Sequence, residues 1–517
     1  MSRPARFATF LIAAWIGATI CAPPLATAVT SAAMRSDFNG DGYGDLAVGV
    51  PSEDVGRKQS AGAVNVLYGS RAGLTAAGNQ HWTQDTPGVL GTAEGGPGHD
   101  ENPYDRFGAA LASADFDRDG YADLAIGVPE DRVAGVRDRG AVNVLYGSRM
   151  GLTAAGDQRL SRWNLPDPPE FGEWFGSSLV AVDVNGDGYG DLAVSGVDGT
   201  LPGDRVTVIG VFFGSPTGLD GAAGQVLTGA GLEEGGSVGL SGGAMAAGRL
   251  DGDAFTDVVA PVAGGPVGGA VVVLRGSAAG LVDAGAQLWS QDSPGIPGEG
   301  AVGDGFGAAL AIGDLDGDGH VDLAIGSPRA AAGPMPDAGT VTVIYGSATG
   351  LAADGSQLWS EATEGVPGAP ANGDRFGRAL AAGDVDGDGR DDLAIGAPND
   401  PVGGRVTILY GSATGLTATG AQRWSQGSPG VPERNEPPDR FGGSLAAADF
   451  GRSGRCDLAI GAHGEKLAGM PHAGTVTVLY GRATGLSARH AQLWSQDSPG
   501  IKGAAEPYDE FGQMLIP

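Results

Sequence analysis

Five stretches of the chain set oxygen-bearing side chains at positions 1, 3, 5 and 9 of a nine-residue loop. They are Asp37, Asn39, Asp41 and Asp45; Asp115, Asp117, Asp119 and Asp123; Asp183, Asn185, Asp187 and Asp191; Asp314, Asp316, Asp318 and Asp322; and Asp384, Asp386, Asp388 and Asp392. Position 6 is always Gly, which permits a sharp turn. Position 7 varies freely (Tyr43, Tyr121, Tyr189, His320, Arg390), as expected if only its backbone carbonyl is used. Oxygen donors alone, without His or Cys, suit a hard cation of high coordination number, and calcium takes six to eight oxygens at about 2.3–2.6 Å. The spacing therefore predicts five structural Ca2+ ions, each relieving the repulsion of clustered like charges. An EF-hand is excluded: its bidentate Glu at position 12 is replaced by Val48, Ile126, Val194, Ile325 and Ile395.

Two further loops carry the same frame in weakened form. At 249–257 Arg249 stands at position 1 and Ala254 at position 6. At 449–457 Gly451 and Ser453 stand at positions 3 and 5, with Cys456 beside them. Both are expected to bind no ion. The seven loops begin 78, 68, 66, 65, 70 and 65 residues apart, so the chain is a tandem repeat.

Other landmarks keep that register. Phe-Gly lies eight residues before the loop, at Phe107, Phe175, Phe306, Phe376 and Phe441. After the loop come an apolar run such as Asp322-Leu-Ala-Ile-Gly326, a second such as Thr340-Val-Thr-Val-Ile-Tyr345, and a Gly-x-x-x-Gly-Leu turn. Eight residues beyond each turn Leu stands Trp82, Leu160, Leu227, Trp289, Trp359, Trp424 or Trp494. Each unit thus offers four short strands: one from Phe-Gly, two apolar runs, and one around Gln-Leu-Trp-Ser. The predicted fold is all-β, a seven-bladed β-propeller of four-stranded antiparallel blades. The first unit lacks Phe-Gly, while Phe511-Gly512 stands alone at the far end. The C-terminal strand is therefore expected to complete blade one and close the ring.

These motifs resemble the FG-GAP repeats of the integrin α-chain N-terminal propeller. The resemblance is carried by Phe306-Gly307, by Asp314 to Asp322, and by Gly396-Ala397-Pro398 after the second strand, with Pro51, Pro129 and Pro328 repeating that last feature. It covers residues 29–517. It implies calcium loops on one face of the propeller and ligands approaching the other.

Composition agrees. The chain has 517 residues, 95 Gly and 32 Pro, far above the usual combined share of about 12%. This excludes a helical protein, and the recurring register excludes simple disorder. Net charge is −30 and only Lys58, Lys466 and Lys502 are lysines, so nucleic acid and anionic membrane surfaces are poor partners. Residues 1–28 read as a secretory signal: Arg3 and Arg6, an apolar stretch from Phe7 to Ala22, and Ala26-Thr27-Ala28 as cleavage site. Cleavage would leave Cys456 as the one thiol of a secreted chain over 29–517, with no intramolecular disulfide. No later segment is long and apolar enough to span a bilayer. High Ala, Gly and Arg with little Lys points to a GC-rich bacterial source.

Catalytic motifs are weak. Gly239-Leu-Ser241-Gly-Gly243 matches a nucleophile elbow but falls in the degenerate Phe-Gly strand of blade four, and Gly298-x-Gly-x-x-Gly303 lies in a loop without a βαβ unit. No catalytic residue and no organic cofactor is assigned. On the face opposite the Asp loops, the longest connection runs from Asp85 to Arg106 with His99, Asp100, Glu101 and Tyr104, and its neighbour carries Trp163 and Trp174. The repeated Trp residues read as packing between blades rather than as sugar platforms. The expected function is a secreted, monomeric calcium-binding module for adhesion or for binding an extracellular protein or glycan. The alternatives are a lectin, or a carbohydrate-active enzyme (glycosidase or lyase) on a propeller scaffold.

Overall fold

The computed structural model describes residues 36–95, 104–136, 139–168, 171–199, 205–228, 239–240, 244–263 and 267–517. The signal segment, His99, Asp100, Glu101 and Ser241 lie outside the described residues. The chain separates into Met1–Thr30 and Ser31–Pro517, and every strand of the propeller belongs to the second unit.

Seven antiparallel sheets form from the seven repeats. In the regular blades the order follows the chain. Blade two is Ala110–Ala114, Asp123–Val128, Ala141–Tyr146 and Thr153–Leu160. Blade five is Ala309–Gly313, Asp322–Ser327, Thr340–Tyr345 and Ala352–Trp359. Blade six is Ala379–Gly383, Asp392–Ala397, Arg405–Tyr410 and Thr417–Trp424, and blade seven is Ser444–Ala448, Asp457–Ala462, Thr475–Arg482 and Gly485–Trp494. Among the described residues the only helical element is a 3-10 turn at Arg162–Asn164.

Two details depart from the sequence reading. Regular pairing of the first strand starts two residues after Phe-Gly, because Phe107 and its equivalents instead turn into the interface with the preceding blade: Phe107 N–H donates to Ala61 at 3.0 Å. The fourth strand is longer than Gln-Leu-Trp-Ser, starting at Thr75, Thr153, Ala352 or Thr417, with a register shift near the end of the third strand. Such a bulge increases twist, as an outer propeller strand requires. In blades three and four the first strand is divided, with Phe171–Glu173 and Leu179–Val182 both pairing with Asp191–Gly199, and Gly239–Leu240 and Ala246–Gly248 both pairing with Asp257–Ala263.

Closure is as expected. Met514–Ile516 pairs antiparallel with Leu46–Val50, matching Ala47 with Ile516 and Gly49 with Met514. Blade one thus takes its inner strand from the C-terminus and its outer three from the N-terminal part, Leu46–Val50, Ala63–Tyr68 and Thr75–Trp82. The seven inner strands touch in succession and form a closed ring around a channel. Second and third strands are almost wholly buried, being covered on both faces by adjacent blades. Phe107, Phe376, Phe441 and Phe511 are fully buried between blades, each such ring contributing about 1.5–3 kcal/mol.

A polar clip recurs at these interfaces. Gln158, two residues before the outer-strand apolar anchor, donates from Nε2 to Leu219 O at 3.1 Å and accepts Leu219 N–H at 2.9 Å. Gln80 does the same to Leu152, and Gln287 to Leu351. Gln492 donates to Leu74 O at 2.9 Å, carrying the clip across the closure. Where the third strand ends in Tyr68, Tyr146, Tyr345 or Tyr480, its hydroxyl donates to the same Gln oxygen, as Tyr68 does to Gln80 at 2.6 Å. That hydroxyl presses on the turn Gly of the next blade. A Cβ on Gly151, at φ +89, would lie 1.9 Å from the Tyr68 oxygen.

Gly156 has a similar φ of +86, yet its nearest neighbour would be 3.8 Å away. Gly156→Ala should therefore cost only backbone strain, about 1 kcal/mol. Gly151→Ala should cost about 3 kcal/mol by adding overpacking and loss of the clip. Equal denaturation midpoints for the two variants would contradict this account of the interface.

Candidate metal loops and inter-blade carboxylates

Each Asp-rich loop joins the first strand to the second, so all seven lie at one end of the ring. The predicted Gly at position 6 takes positive φ throughout, from +87 at Gly42 to +94 at Gly120. The chain then wraps around the position 1 carboxylate. Asp115 accepts Asp119 N–H at 3.1 Å and Gly120 N–H at 3.0 Å, and Asp37 accepts Asp41 N–H at 3.0 Å and Gly42 N–H at 2.7 Å. Asp183 and Asp384 hold the equivalent amides, and Asp314 accepts Gly319 N–H at 3.1 Å.

Carboxylate oxygens of positions 1, 3 and 9 come within 4.8 Å of one another in three loops: Asp115, Asp117 and Asp123; Asp314, Asp316 and Asp322; and Asp384, Asp386 and Asp392. In the other two loops position 3 is an amide. Asn39 Oδ1 and Asn185 Oδ1 each accept the position 5 N–H at 2.9 Å, as Asp117 does for Asp119 at 3.2 Å. Position 5 is set apart from the three-carboxylate clusters. Asp41, Asp119, Asp187, Asp318 and Asp388 accept the N–H of Tyr43, Tyr121, Tyr189, His320 and Arg390 at 2.8–3.0 Å. Arg390 also pairs with Asp388 at 2.9 Å.

Position 9 has a role that loop spacing alone does not reveal. Asp45, Asp123, Asp191 and Asp257 are fully buried, and Asp322, Asp392 and Asp457 nearly so. One oxygen of Asp123 accepts Phe116 N–H at 2.8 Å and the other accepts Gly147 N–H, beyond the third strand, also at 2.8 Å. Asp257 in the degenerate fourth loop makes the same two bonds, to Leu250 and Gly276, at 2.9 Å each. In the seventh loop Asp457 keeps the bond to Gly481 at 2.9 Å. The carboxylate clamps three segments of one blade whether or not its loop has a full donor set. Burial pushes Asp45, Asp123 and Asp392 up to about 8 against the lowering effect of their two amide bonds. Desolvation pushes Asp257 up as well, to about 6.

A second acidic cluster lies between blades five and six, at the other end of the sheets: Glu361, Asp374 and Asp400, all buried. Elsewhere an amide stands where Glu361 stands. Gln84 donates to Asp131 at 3.1 Å, Gln426 to Glu465 at 2.5 Å, and Gln496 to Glu53. Arg405 and Arg423 hold Asp400 at 3.0 and 3.2 Å, but Arg423 is 3.8 Å from Glu361. Burial, and then the charges of Asp374 and Asp400, drive the Glu361 pKa well above the usual glutamate range. The sequence does carry a signal for this pairing, the Gln two residues beyond the outer-strand Trp at Gln84, Gln426 and Gln496. The loop and strand motifs alone do not bring it out.

Trp82 and Trp359 are buried in the core, and Trp289, Trp424 and Trp494 pack half-buried against it. Trp82 shares a cluster with Leu111 and Leu152 of blade two, and Trp359 one with Val366 and Leu416. Trp163 is covered by the Arg139 guanidinium, 4.2 Å from its ring centre, while Trp174 is exposed.

The fold and its loops define a propeller with an Asp-rich loop in each repeat, and comparison with known proteins names the repeat. The chain carries FG-GAP repeats: that family matches residues 28–67, 107–145, 175–200, 306–344 and 376–409. Phosphatidylinositol-glycan-specific phospholipase D of Rattus norvegicus is 33% identical over 186 residues, 35% of this chain and 20% of that protein. Integrin alpha-5 of Xenopus laevis is 36% identical over 176 residues, 32% of this chain and 14% of that protein. Integrin alpha-PS2 of Drosophila melanogaster is 34% identical over 182 residues, 34% of this chain and 11% of that protein. The chain thus spans a fifth or less of the length of these relatives.

Two outcomes test the site. Asp257→Ala should destabilise the chain by about 2–4 kcal/mol, because two buried N–H groups lose their acceptor, and the loss should be the same with and without calcium. Glu361→Gln should be stabilising, and more so at alkaline pH. The folded wild type holds a proton on this cluster that the unfolded chain releases near 4.5, so wild-type stability falls more steeply than the variant's as pH rises above that value. Urea midpoints at pH 5 and pH 8 check the sign.

Proposed function

We propose that this is a secreted, calcium-stabilised propeller that serves as a binding or adhesion module for an extracellular protein or glycan. The observation that carries the calcium reading is the convergence of positions 1, 3 and 9 within 4.8 Å in three loops of one edge. The donors are hard oxygens, crowded enough that a divalent cation would offset their mutual repulsion. Asp115, Asp117 and Asp123, with their counterparts in loops one, three, five and six, would hold the ions. The position 5 carboxylates and position 7 carbonyls would complete the shells. The ions would stiffen the loop edge of the ring and perform no chemistry.

Binding rather than catalysis is supported by the architecture. Connections from second to third and from fourth to first strands cluster on the edge away from the Asp loops, displayed by a rigid ring. Integrin alpha chains are among the relatives. A phospholipase D is another, but the shared part is a fifth of that protein, so its activity is not carried over. Core packing of Trp82 and Trp359 weighs against a lectin that uses them as sugar platforms.

Chelation with EDTA should lower the melting temperature by roughly 10 °C or more, since ligand bound only to the folded state stabilises it. Calcium should restore it, and titration calorimetry should count five ions. An unchanged melt in EDTA would overturn the calcium reading. A glycan array and a pull-down from extracellular proteins, run with calcium and with EDTA, test the module. Turnover of a polysaccharide without stable binding would favour the enzyme instead.

A further inference from the structure

The ring of inner strands encloses a cavity of about 950 Å³. Its wall includes Leu310, Ile312, Leu445 and Met514, which pack against the inter-blade core on one side and are left half-buried where they line the channel. One mouth is basic. Arg375 stands immediately before Phe376-Gly377 with φ +60, Arg378 immediately after that pair, and Arg329 follows Pro328 beyond the second strand of blade five. All three line the cavity at the end away from the Asp loops.

Their surroundings are unusual for this chain. It carries a net charge of −30 and has acids to spare, 61 against 31 bases. Neighbouring arginines at the same edge use them: Arg106 reaches Glu130 at 3.6 Å, and Arg440 reaches Glu510 at 4.0 Å and His463 at 3.2 Å. Among the described residues, no ion pair and no side-chain hydrogen bond engages Arg329, Arg375 or Arg378. Arg329 and Arg378 are exposed at the mouth and Arg375 is half-buried, and the partial desolvation there, together with the positive charges of Arg375 and Arg329, lowers the Arg378 pKa. Three clustered guanidiniums bring up to fifteen N–H donors and no acceptor. Planar guanidinium forks match the geometry of a carboxylate.

We propose that this mouth binds an organic anion, a straight-chain carboxylate, with its headgroup held by Arg329, Arg375 and Arg378 and its alkyl chain lying along the apolar bore. A five-residue inner strand such as Ala379–Gly383 gives the bore a length of about 16 Å, enough for a medium-length alkyl chain. The headgroup supplies the missing countercharge, and the chain covers the half-buried Leu and Ile side chains. The site shares no residue with the calcium loops, so it stands or falls separately from them.

The test is titration calorimetry of the full chain in excess calcium with acetate, hexanoate, octanoate and the neutral 1-octanol. Affinity should rise roughly three- to fourfold per methylene from acetate to octanoate, and octanol should bind at least tenfold more weakly than octanoate. Substitutions can be taken from sibling blades, which limits folding risk: R329S, R375G and R378A import the residues found at Ser52, Gly305 and Ala308. The triple variant should lose at least tenfold in octanoate affinity. R71S, in an exposed turn at the loop end, should lose none. If the triple variant melts early, R375G and R378A singly should each lose about threefold. No saturable octanoate binding, equal affinity for octanol, or full affinity in the folded variants would overturn the proposal. Intact EDTA sensitivity alongside any of these would leave the calcium reading standing.

Discussion

The pairing of Met514–Ile516 with Leu46–Val50 is the contact that holds the ring shut. Without it blade one has three strands and an open inner edge, and blade seven has no neighbour on one side. A β-sheet edge carries unpaired N–H and C=O groups that must be covered. Here closure covers them with the protein's own backbone, from residues more than 460 positions apart. The interface between blades is then repeated seven times and must be made seven times well. Buried Phe rings and the Val, Leu and Ile side chains of the second and third strands fill it, and the Gln-to-Leu clip fixes its register. The clip works because the turn Gly lets the preceding Tyr hydroxyl approach.

The loop edge rests on a different device. A fully buried carboxylate would be costly unless hydrogen-bonded. The position 9 Asp meets that requirement with two backbone amides from separate segments, so one side chain ties the loop to the sheet. The same group faces the other loop carboxylates in three blades. Scaffold and proposed metal site therefore share one carboxylate. This explains why blades four and seven keep Asp257 and Asp457 although their loops have lost other donors.

Charge is distributed unevenly along the ring axis. Eighteen Asp at positions 1, 3, 5 and 9 of the five full loops crowd one edge, while the opposite mouth of the channel gathers unpaired arginines. Between them the wall is built from Ala, Leu, Ile and Met. The inter-blade carboxylates add a smaller effect of the same kind: an amide donor where Gln84, Gln426 and Gln496 stand, and a trapped proton where Glu361 replaces it.

Blade count, strand order, strand-exchange closure and loop residues were all legible in the amino-acid order. Each rests on local spacing: a period of 65 to 78 residues, a nine-residue loop, and an orphan Phe-Gly at one end. The repeated Trp residues were likewise legible as packing, from their fixed place in five outer strands and its replacement by Leu160 and Leu227 in the other two. The clamp of Asp257, the partner of each outer-strand Gln, the crowding of Glu361 with Asp374 and Asp400, and the meeting of Arg329 with Arg375 and Arg378 emerge only in the folded ring. These link segments from about 10 to more than 400 residues apart, and all but the clamp cross between blades. Their partners are set by how one sheet faces the next, which no spacing within a single repeat encodes.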